Sequence, residues 1–192
     1  MGKVVVTEFV TVDGVIEDPG GAEEFDRGGW AFQFDRGDDG DKFKLDEVME
    51  ADAHLLGRVT YQGFAEAWPS RTGEFADKIN GMPKYVVSTT LDEAEWNNST
   101  VIKGDLAEEV SKLKQAVDGD ILVAGSATLV QALAERDLVD EYRLMVFPTV
   151  LGSGKRLFAD ASGTKALKLV DAKPVGSDGV VILIYVQAPA AA

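Results

Sequence analysis

Cysteine is absent from this chain, and histidine occurs once, as His54. The first absence excludes disulfides and thiolate metal sites, and the two together leave too few soft ligands for a transition-metal centre. A chain without cysteine also fits a cytoplasmic protein. No apolar run approaches the roughly 20 residues of a membrane span. Met1-Gly2-Lys3 leads into only three valines, too short for a signal-peptide core and with no cleavage-like site behind it. Val6 stands where a myristoylation pattern needs Ser or Thr. Basic residues are scarce as well: 19 Lys and Arg face 33 Asp and Glu, for a formal charge of −14. Such a field repels nucleic acid and anionic membrane surfaces. An anionic ligand has to be met by individually placed cations, so each Lys or Arg beside a glycine carries information.

What is present is ordinary globular material. The 192 residues are 45% hydrophobic and 27% charged, enough for one domain with a sizeable core. The pattern predicts a single domain over 1–187 and a loose tail over 188–192. Lys3 to Thr11 reads as a strand, apolar at successive positions as a central strand covered on both faces would be. Glu17 to Gly40 reads as a long loop with five glycines before Gly40, interrupted by the aromatic patch Trp30-Ala31-Phe32-Gln33-Phe34. Asp41 to Ala51, Arg58 to Trp68, Leu106 to Val117 and Thr128 to Glu135 have helical periodicity. Strands are expected at Ala53 to Leu56, Lys84 to Ser88, Thr100 to Lys103, Ile121 to Val123, Glu141 to Phe147, Leu167 to Ala172 and Val180 to Val186. Alternating strands and helices imply an α/β fold with a mostly parallel central sheet. The last strands leave no room for helices between them and are expected as antiparallel C-terminal additions.

Three strand-to-helix junctions carry small or hydroxyl residues. In "ILVAGSATLVQAL" the apolar run Ile121-Leu122-Val123 gives way to Ala124, Gly125, Ser126 and Ala127 before a helix begins. A helix start exposes unpaired N–H groups and a partial positive charge, and small side chains let a phosphate approach them. The same residues equally serve a tight turn with no ligand. "HLLGRVTYQGF" repeats the arrangement with Gly57, a cation at Arg58 and a hydroxyl at Thr60; the alternative there is an ion pair between Arg58 and a carboxylate such as Glu66. "KYVVSTT" ends a strand in Ser88, Thr89 and Thr90. A fourth segment, "PTVLGSGKRLF", holds Lys155 and Arg156 after a Gly-Ser-Gly turn and reads either as a ligand loop or as a solvated one.

These segments, together with "FVTVDGVIEDPGG" and in this order, resemble the dihydrofolate-reductase-like superfamily, in the branch of the C-terminal reductase domain of bacterial riboflavin biosynthesis. The resemblance spans roughly Lys3 to Val186. It implies a three-layer fold, NADPH bound across strand ends, hydride transfer to a small pteridine- or pyrimidine-like substrate, and a homodimer. Carried over by position, Gly57, Arg58 and Thr60 would hold cofactor phosphate. Ser88 and Thr89 would stand beside the adenosine 2′-phosphate, and Gly125, Ser126, Ala127, Thr128 and Leu129 would lie under the pyrophosphate. Val12 to Ile16 would flank the nicotinamide, and a non-proline cis peptide would join Gly125 to Ser126. Where the family often has a second glycine and then an arginine, this chain has Ser126 and Thr128.

For the catalytic group two carboxylates compete. By spacing, Asp41 falls near the place of the dihydrofolate reductase carboxylate, though Asp35, Asp38 and Asp39 crowd the same stretch as a solvated acidic loop would. Glu8 lies inside an otherwise apolar strand, where burial would raise its pKa; the alternative is a strand end reaching water. Trp30 and Phe34 could stack on a flat substrate or close a small core. His54 begins a buried strand and reads as structural. The rival to an enzyme is a non-catalytic NADPH- or flavin-binding module. The two differ in whether a carboxylate reaches the substrate side of the cofactor site.

Overall fold

A computed structural model describes residues 1–160 and 163–188. Its central strand is β1 (Lys3–Thr11). Val4, Val5 and Val6 are fully buried, because helices cover both faces of the sheet. Alternation along the strand sends Val4, Val6 and Val10 into one core and Val5 into another. The remaining strands are β2 (Ala51–Gly57), β3 (Lys84–Val87), β4 (Ser99–Ile102), β5 (Asp120–Val123), β6 (Glu141–Phe147), β7 (Leu167–Val175) and β8 (Val180–Gln187). They form one sheet in the order β4-β3-β2-β5-β1-β6-β8-β7. All pairs from β4 to β6 are parallel, and β8 runs antiparallel to both β6 and β7.

Two helices, α4 (Leu106–Ala116) and α5 (Ala127–Glu135), cover one face, burying Val110, Leu113, Leu129, Val130 and Leu133. On the other, α1 (Gly37–Glu50), α2 (Arg58–Ala67) and α3 (Glu74–Gly81) bring Val48, Tyr61 and Ile79 against Val5 and Leu122. A short 3-10 helix, Trp30–Gln33, adds Trp30 and Ala31 to a third cluster around Met145, Phe147 and Ile182. The chain leaves β1 through α1 toward β2, but leaves β5 through α5 toward β6 on the opposite side. The carboxyl ends of β1 and β5 are therefore the point where the winding reverses, which is where open α/β sheets bind ligands.

Several sequence expectations needed correction. β6 is parallel to β1, not an antiparallel addition, because α5 supplies the crossover that a parallel pair requires. α1 begins at Gly37 rather than Asp41. Its first turn is fixed by Asp35, whose carboxylate accepts the Gly37 N–H at 2.9 Å and the Ser177 hydroxyl at 2.8 Å. α3 was not foreseen, since its buried residues Ala76 and Ile79 make too brief a period to stand out. The expected tail lies outside the described residues except for Ala188, whose N–H donates to the Ala166 carbonyl at 3.0 Å. Among the described residues no helix is long and apolar enough to cross a membrane.

His54 is buried in β2, and its Nδ1 has no hydrogen-bond partner among the described residues. Burial, reinforced by the charges of Lys84 and Lys44, pushes its pKa down from 6.5 to about 3. The folded protein thus refuses a proton that the unfolded chain accepts. Stability is lost as pH falls from about 6.5 toward about 3, at roughly 1.4 kcal/mol per pH unit from this group within the window. Urea titrations at pH 7 and pH 4.5 check this: the decline in wild type is expected to shrink in His54→Phe.

Candidate functional site

β5 stops early, with its last residue, Val123, paired to Val6. From Thr7 to Thr11, β1 has β6 on one side and no strand on the other. The turn after β5 fills part of this gap and touches the end of β2. The Gly57 N–H donates to the Gly125 carbonyl at 3.2 Å. A Cβ on Gly57 would sit 3.0 Å from the Ser126 nitrogen, and one on Gly125 would sit 2.7 Å from Thr60 Oγ1. Gly125 also has a φ of +97°, which side chains disfavour. Glycine at both places lets the starts of α2 and α5 converge on one crevice at the strand ends. The Gly125–Ser126 peptide is cis.

Neither helix start is capped. Among the described residues no side chain caps the first turn of α2 or α5, whereas Asp105 caps α4 by accepting from Ala107 and Glu108. Intrahelical bonding in α5 begins with the Val130 N–H on the Ser126 carbonyl. The N–H groups of Ala127, Thr128 and Leu129 are thus left for an acceptor from outside the helix. Uncapped donors, small residues and two converging helix dipoles fit the phosphates of a dinucleotide.

The candidate cofactor residues divide by how they are placed. Arg58 is exposed and donates to Gln62 at 2.8 Å; among the described residues it pairs with no carboxylate, Glu66 included. Thr60 packs on Gly125. Thr128 and Thr89 are exposed. Ser88 is buried, its oxygen accepting the N–H groups of Thr90 and Leu91 at 3.2 and 3.0 Å, so it shapes the turn as much as it faces outward. The side chains of Leu129 and Ile16 belong to the core, and only their backbone can meet a ligand. Val12 is 63% exposed.

The segment Val12 to Ile16 is held by the loop after β6. Val12 N–H donates to Thr149, Ile16 N–H to Lys155 and Leu157 N–H to Gly14, each at 2.9 Å. The Asp13 carboxylate accepts from Leu151 and Gly152 at 3.2 and 2.7 Å. Its pKa is lowered chiefly by the Thr11 hydroxyl, with those two N–H groups adding. Lys155 pairs with Glu17 at 3.0 Å. "PTVLGSGKRLF" is therefore a strap for the nicotinamide-flanking segment expected above, and its lysine is already engaged.

Of the two carboxylates, Glu8 is buried, 8% exposed, with an oxygen that lacks a hydrogen-bond partner among the described residues. Burial pushes its pKa up from 4.5 to about 8, against the opposing charge of Lys44. Asp41 is 64% exposed and bonds to Arg36 at 2.6 Å; it stands within α1, which starts at Gly37. Trp30 is 1% exposed, crosses Phe147 edge-on at 5.5 Å and donates to the Glu17 carbonyl at 2.9 Å. Trp30 is a core residue, with no face free for a substrate. Phe34 joins the same cluster, with its ring 6.2 Å from Phe147.

A further group was missed in the sequence. Thr7 donates to both oxygens of Glu47 at 2.8 and 2.9 Å and accepts from Lys44 at 2.7 Å. Lys44 also pairs with Glu47 and lies 5.1 Å from the centre of the Phe9 ring. The available signal was spacing: Gly40, Lys44, Glu47 and Val48 form one helical stripe, and three of the four are buried. Two charges on the inward stripe of a helix call for partners, and Thr7 on β1 supplies one.

A cavity of about 260 Å³ opens at the other end of the sheet, lined by Gln131, Glu135, Tyr142, Phe158, Lys165 and Leu167 among others. None of the uncapped helix starts or the buried carboxylate reaches it, so the strand-end crevice is the better candidate.

Residues 2–181 match the RibD C-terminal domain family, and the chain belongs to that family, which is of reductase type. The chain is 32% identical over 188 residues to the uncharacterized protein YyaP of Bacillus subtilis (strain 168), covering 95% of this chain and 94% of that one. Among solved structures it is similar to a protein of Shewanella sp. PV-4 assigned to riboflavin biosynthesis, with a TM-score of 0.77, 20% identity and coverage of 97% and 99%. It is also similar to the dihydrofolate reductase of Enterococcus faecalis, complexed with NADP(H), with a TM-score of 0.62, 14% identity and coverage of 97% of each chain. At these identities the solved structures show the fold.

A neutral Glu8 leaves a signature in stability. Because its folded pKa lies above that of the unfolded chain, its contribution is full below about pH 4.5 and is lost as pH rises toward about 8. Glu8→Gln is expected to remove that loss. Denaturant midpoints at pH 5 and pH 8.5 check it, with the variant gaining on wild type only at the higher pH.

Proposed function

We propose that this protein is an NADPH-dependent reductase of a small heteroaromatic substrate, pteridine- or pyrimidine-like. The observation that carries the reading is the meeting of two uncapped helix starts at Gly57 and Gly125, beside a buried acid, Glu8. Gly57, Arg58, Thr60 and the N–H groups of Ala127, Thr128 and Leu129 would hold the phosphates, with Ser126 at the turn. Thr89, with Ser88 behind it, would face the adenosine end, and Val12 to Ile16 the nicotinamide. When bound, the reduced nicotinamide supplies a hydride. The chain supplies position, exclusion of water and a proton. Glu8 is the proton donor of choice, being neutral near pH 7 and able to give its proton up. Asp41 is not used. A buried carboxyl of raised pKa beside the crevice favours an enzyme over a non-catalytic nucleotide-binding module, which has no need of one.

A homodimer belongs to the same proposal. β7 is an edge strand exposed along most of its length, with Leu169 and Val170 both open to solvent, and such an edge favours pairing with a second copy. Light scattering at micromolar concentration tests it, and a monomer mass rejects it.

Cofactor choice tests the main reading. The 2′-phosphate of NADPH carries nearly two negative charges, and a protein of charge −14 needs a local cation to accept it. A charge-assisted hydrogen bond contributes roughly 1.5–3 kcal/mol. Arg58→Ala is therefore expected to weaken NADPH binding by about ten- to hundred-fold and leave NADH nearly unchanged. Calorimetric titration of both cofactors decides it. Equal loss for both moves Arg58 to the pyrophosphate, and absence of NADPH binding to wild type rejects the reading.

A further inference from the structure

The cavity at the far end of the sheet plays no part in the proposed function. α5 starts at the crevice and ends here, where Ala134 and Glu135 form one wall. Tyr142 and Leu167 come from the first turns of β6 and β7, and Phe158 and Lys165 from the chain between them. The space continues past Tyr142 and Lys165 into a more open groove of about 540 Å³ that reaches Gln187. Tyr142 lines both parts and is 3% exposed, with its ring 5.7 Å from that of Phe158. Its hydroxyl has no hydrogen-bond partner among the described residues, yet the oxygen is not sealed off, so it opens on the cavity. Leaving a buried hydroxyl unbonded costs stability, and phenylalanine would pack as well without that cost. Burial, with the charge of Asp137 adding, pushes the phenol from 10.0 up to about 12, so it keeps its proton throughout the physiological range.

The charges around this hydroxyl are unequal. Lys165 is taken: its ammonium bonds to the Asp137 carboxylate and reaches the Glu135 carbonyl at 3.4 Å. Arg136, next in the chain, turns to the Ala132 carbonyl at 3.0 Å. The Glu135 carboxylate has neither an ion pair nor a hydrogen bond among the described residues. A negative charge on the last residue of a helix also opposes the dipole, so the fold gains nothing from it. What remains open is one negative charge and one hydroxyl, beside an apolar wall of Ala134, Leu167 and the Phe158 ring, which is 39% exposed.

We propose that this cavity is a second binding site, separate from the crevice, and that its ligand is a small aromatic cation: a ring bearing an amine or amidine. Phe158, Leu167 and Ala134 take the ring, Glu135 takes the charge, and the Tyr142 hydroxyl accepts one of the cation's N–H groups. Size agrees. A cavity of about 150 Å³ holds a benzene ring, and about 260 Å³ leaves room for a substituent. Charge excludes the alternatives. An anion would meet the unpaired Glu135 and could be bonded only by parting Lys165 from Asp137. A neutral hydrocarbon would leave both Glu135 and Tyr142 unserved. Water would satisfy the hydroxyl but has no use for the aromatic wall. The overall charge of −14, which hinders anions at the crevice, favours a cation here. The inference stands apart from the reductase reading.

The test uses benzamidinium and benzoate, which share a ring and a planar head and differ in the sign of their charge. In nitrogen-15 NMR titrations of wild type, benzamidinium is expected to shift the backbone amides of Ala134, Tyr142, Lys165 and Leu167 to saturation, and benzoate to bind at least about tenfold more weakly. Glu135→Gln, at an exposed position that holds nothing in the fold, is expected to weaken benzamidinium at least about fivefold. Tyr142→Phe is expected to weaken it about two- to tenfold. The same variant gives a readout without ligand: its urea midpoint is expected to be no lower than that of wild type, because the hydroxyl it loses bonds to nothing. Four results overturn the proposal: no saturable shift with benzamidinium, equal binding of benzoate, undiminished binding by Glu135→Gln, or a lowered midpoint in Tyr142→Phe, which would give the hydroxyl to the fold. Shifts centred on Gly57 and Gly125 place the probe in the crevice and overturn it as well. Binding of NADPH, or its failure, bears on none of these results.

Discussion

The contact between Gly57 and the Gly125–Ser126 turn sets the geometry on which the site depends. Any side chain at either glycine would drive the starts of α2 and α5 apart, since a Cβ would meet backbone or a packed hydroxyl. With hydrogen in its place, two helices from opposite windings of the sheet point their positive ends into one space. β5 is short for the same reason: its chain must turn at Val123 to bring Gly125 under β2. That leaves the upper half of β1 without a neighbour on its β5 side, and Thr7 and Glu8 lie along that edge.

Electrostatics in this protein is a matter of placement rather than total. A chain of charge −14 cannot attract an anionic ligand by its overall field. Most of its cations are occupied: Lys155 with Glu17, Lys173 with Asp39, Lys103 with Asp92. Arg58 and Lys44 differ from these. Among the described residues the first bonds only to an amide oxygen, and the second, though paired, has one N–H without an acceptor. In the function proposed above, Arg58 would stand at the phosphate end of the crevice. Glu8, on the open stretch of β1, has its pKa raised by burial.

How much of this was legible in the sequence depended on whether the signal was local. The strand-glycine-helix junctions at Gly57 and Gly125 announce themselves in consecutive residues, and the strand spacing that placed them gave the parallel sheet. Glu8 stood out because its neighbours are apolar. The direction of β6 was misread because the helix that decides it, α5, lies before the strand and not after it. The start of α1 was misread because helix starts are set by partners distant in sequence: here Asp35 reaching Ser177, which no local pattern records. Trp30 was ambiguous by composition, and only the position of Phe147 assigns it to the core. Lys44 and Glu47 went unread because charged residues on a helix are ordinarily solvated; their meaning lies in Thr7, nearly forty residues away on another element.

The anchoring of α1 has a consequence for the architecture as a whole. Its first turn is fastened to the bend between β7 and β8: Asp35 to Ser177, the Asp35 N–H to Asp178, and Gly37 packed so closely on Gly176 that neither tolerates a side chain. The helix that carries Lys44 is thus moored to the outermost hairpin of the sheet, built from the last part of the chain. The edge farthest from the crevice in strand order is mechanically continuous with one of its walls. Shortening the protein from its C-terminal side would unfasten a wall that the first fifty residues build, and anything that grips the outer hairpin takes hold of that wall as well.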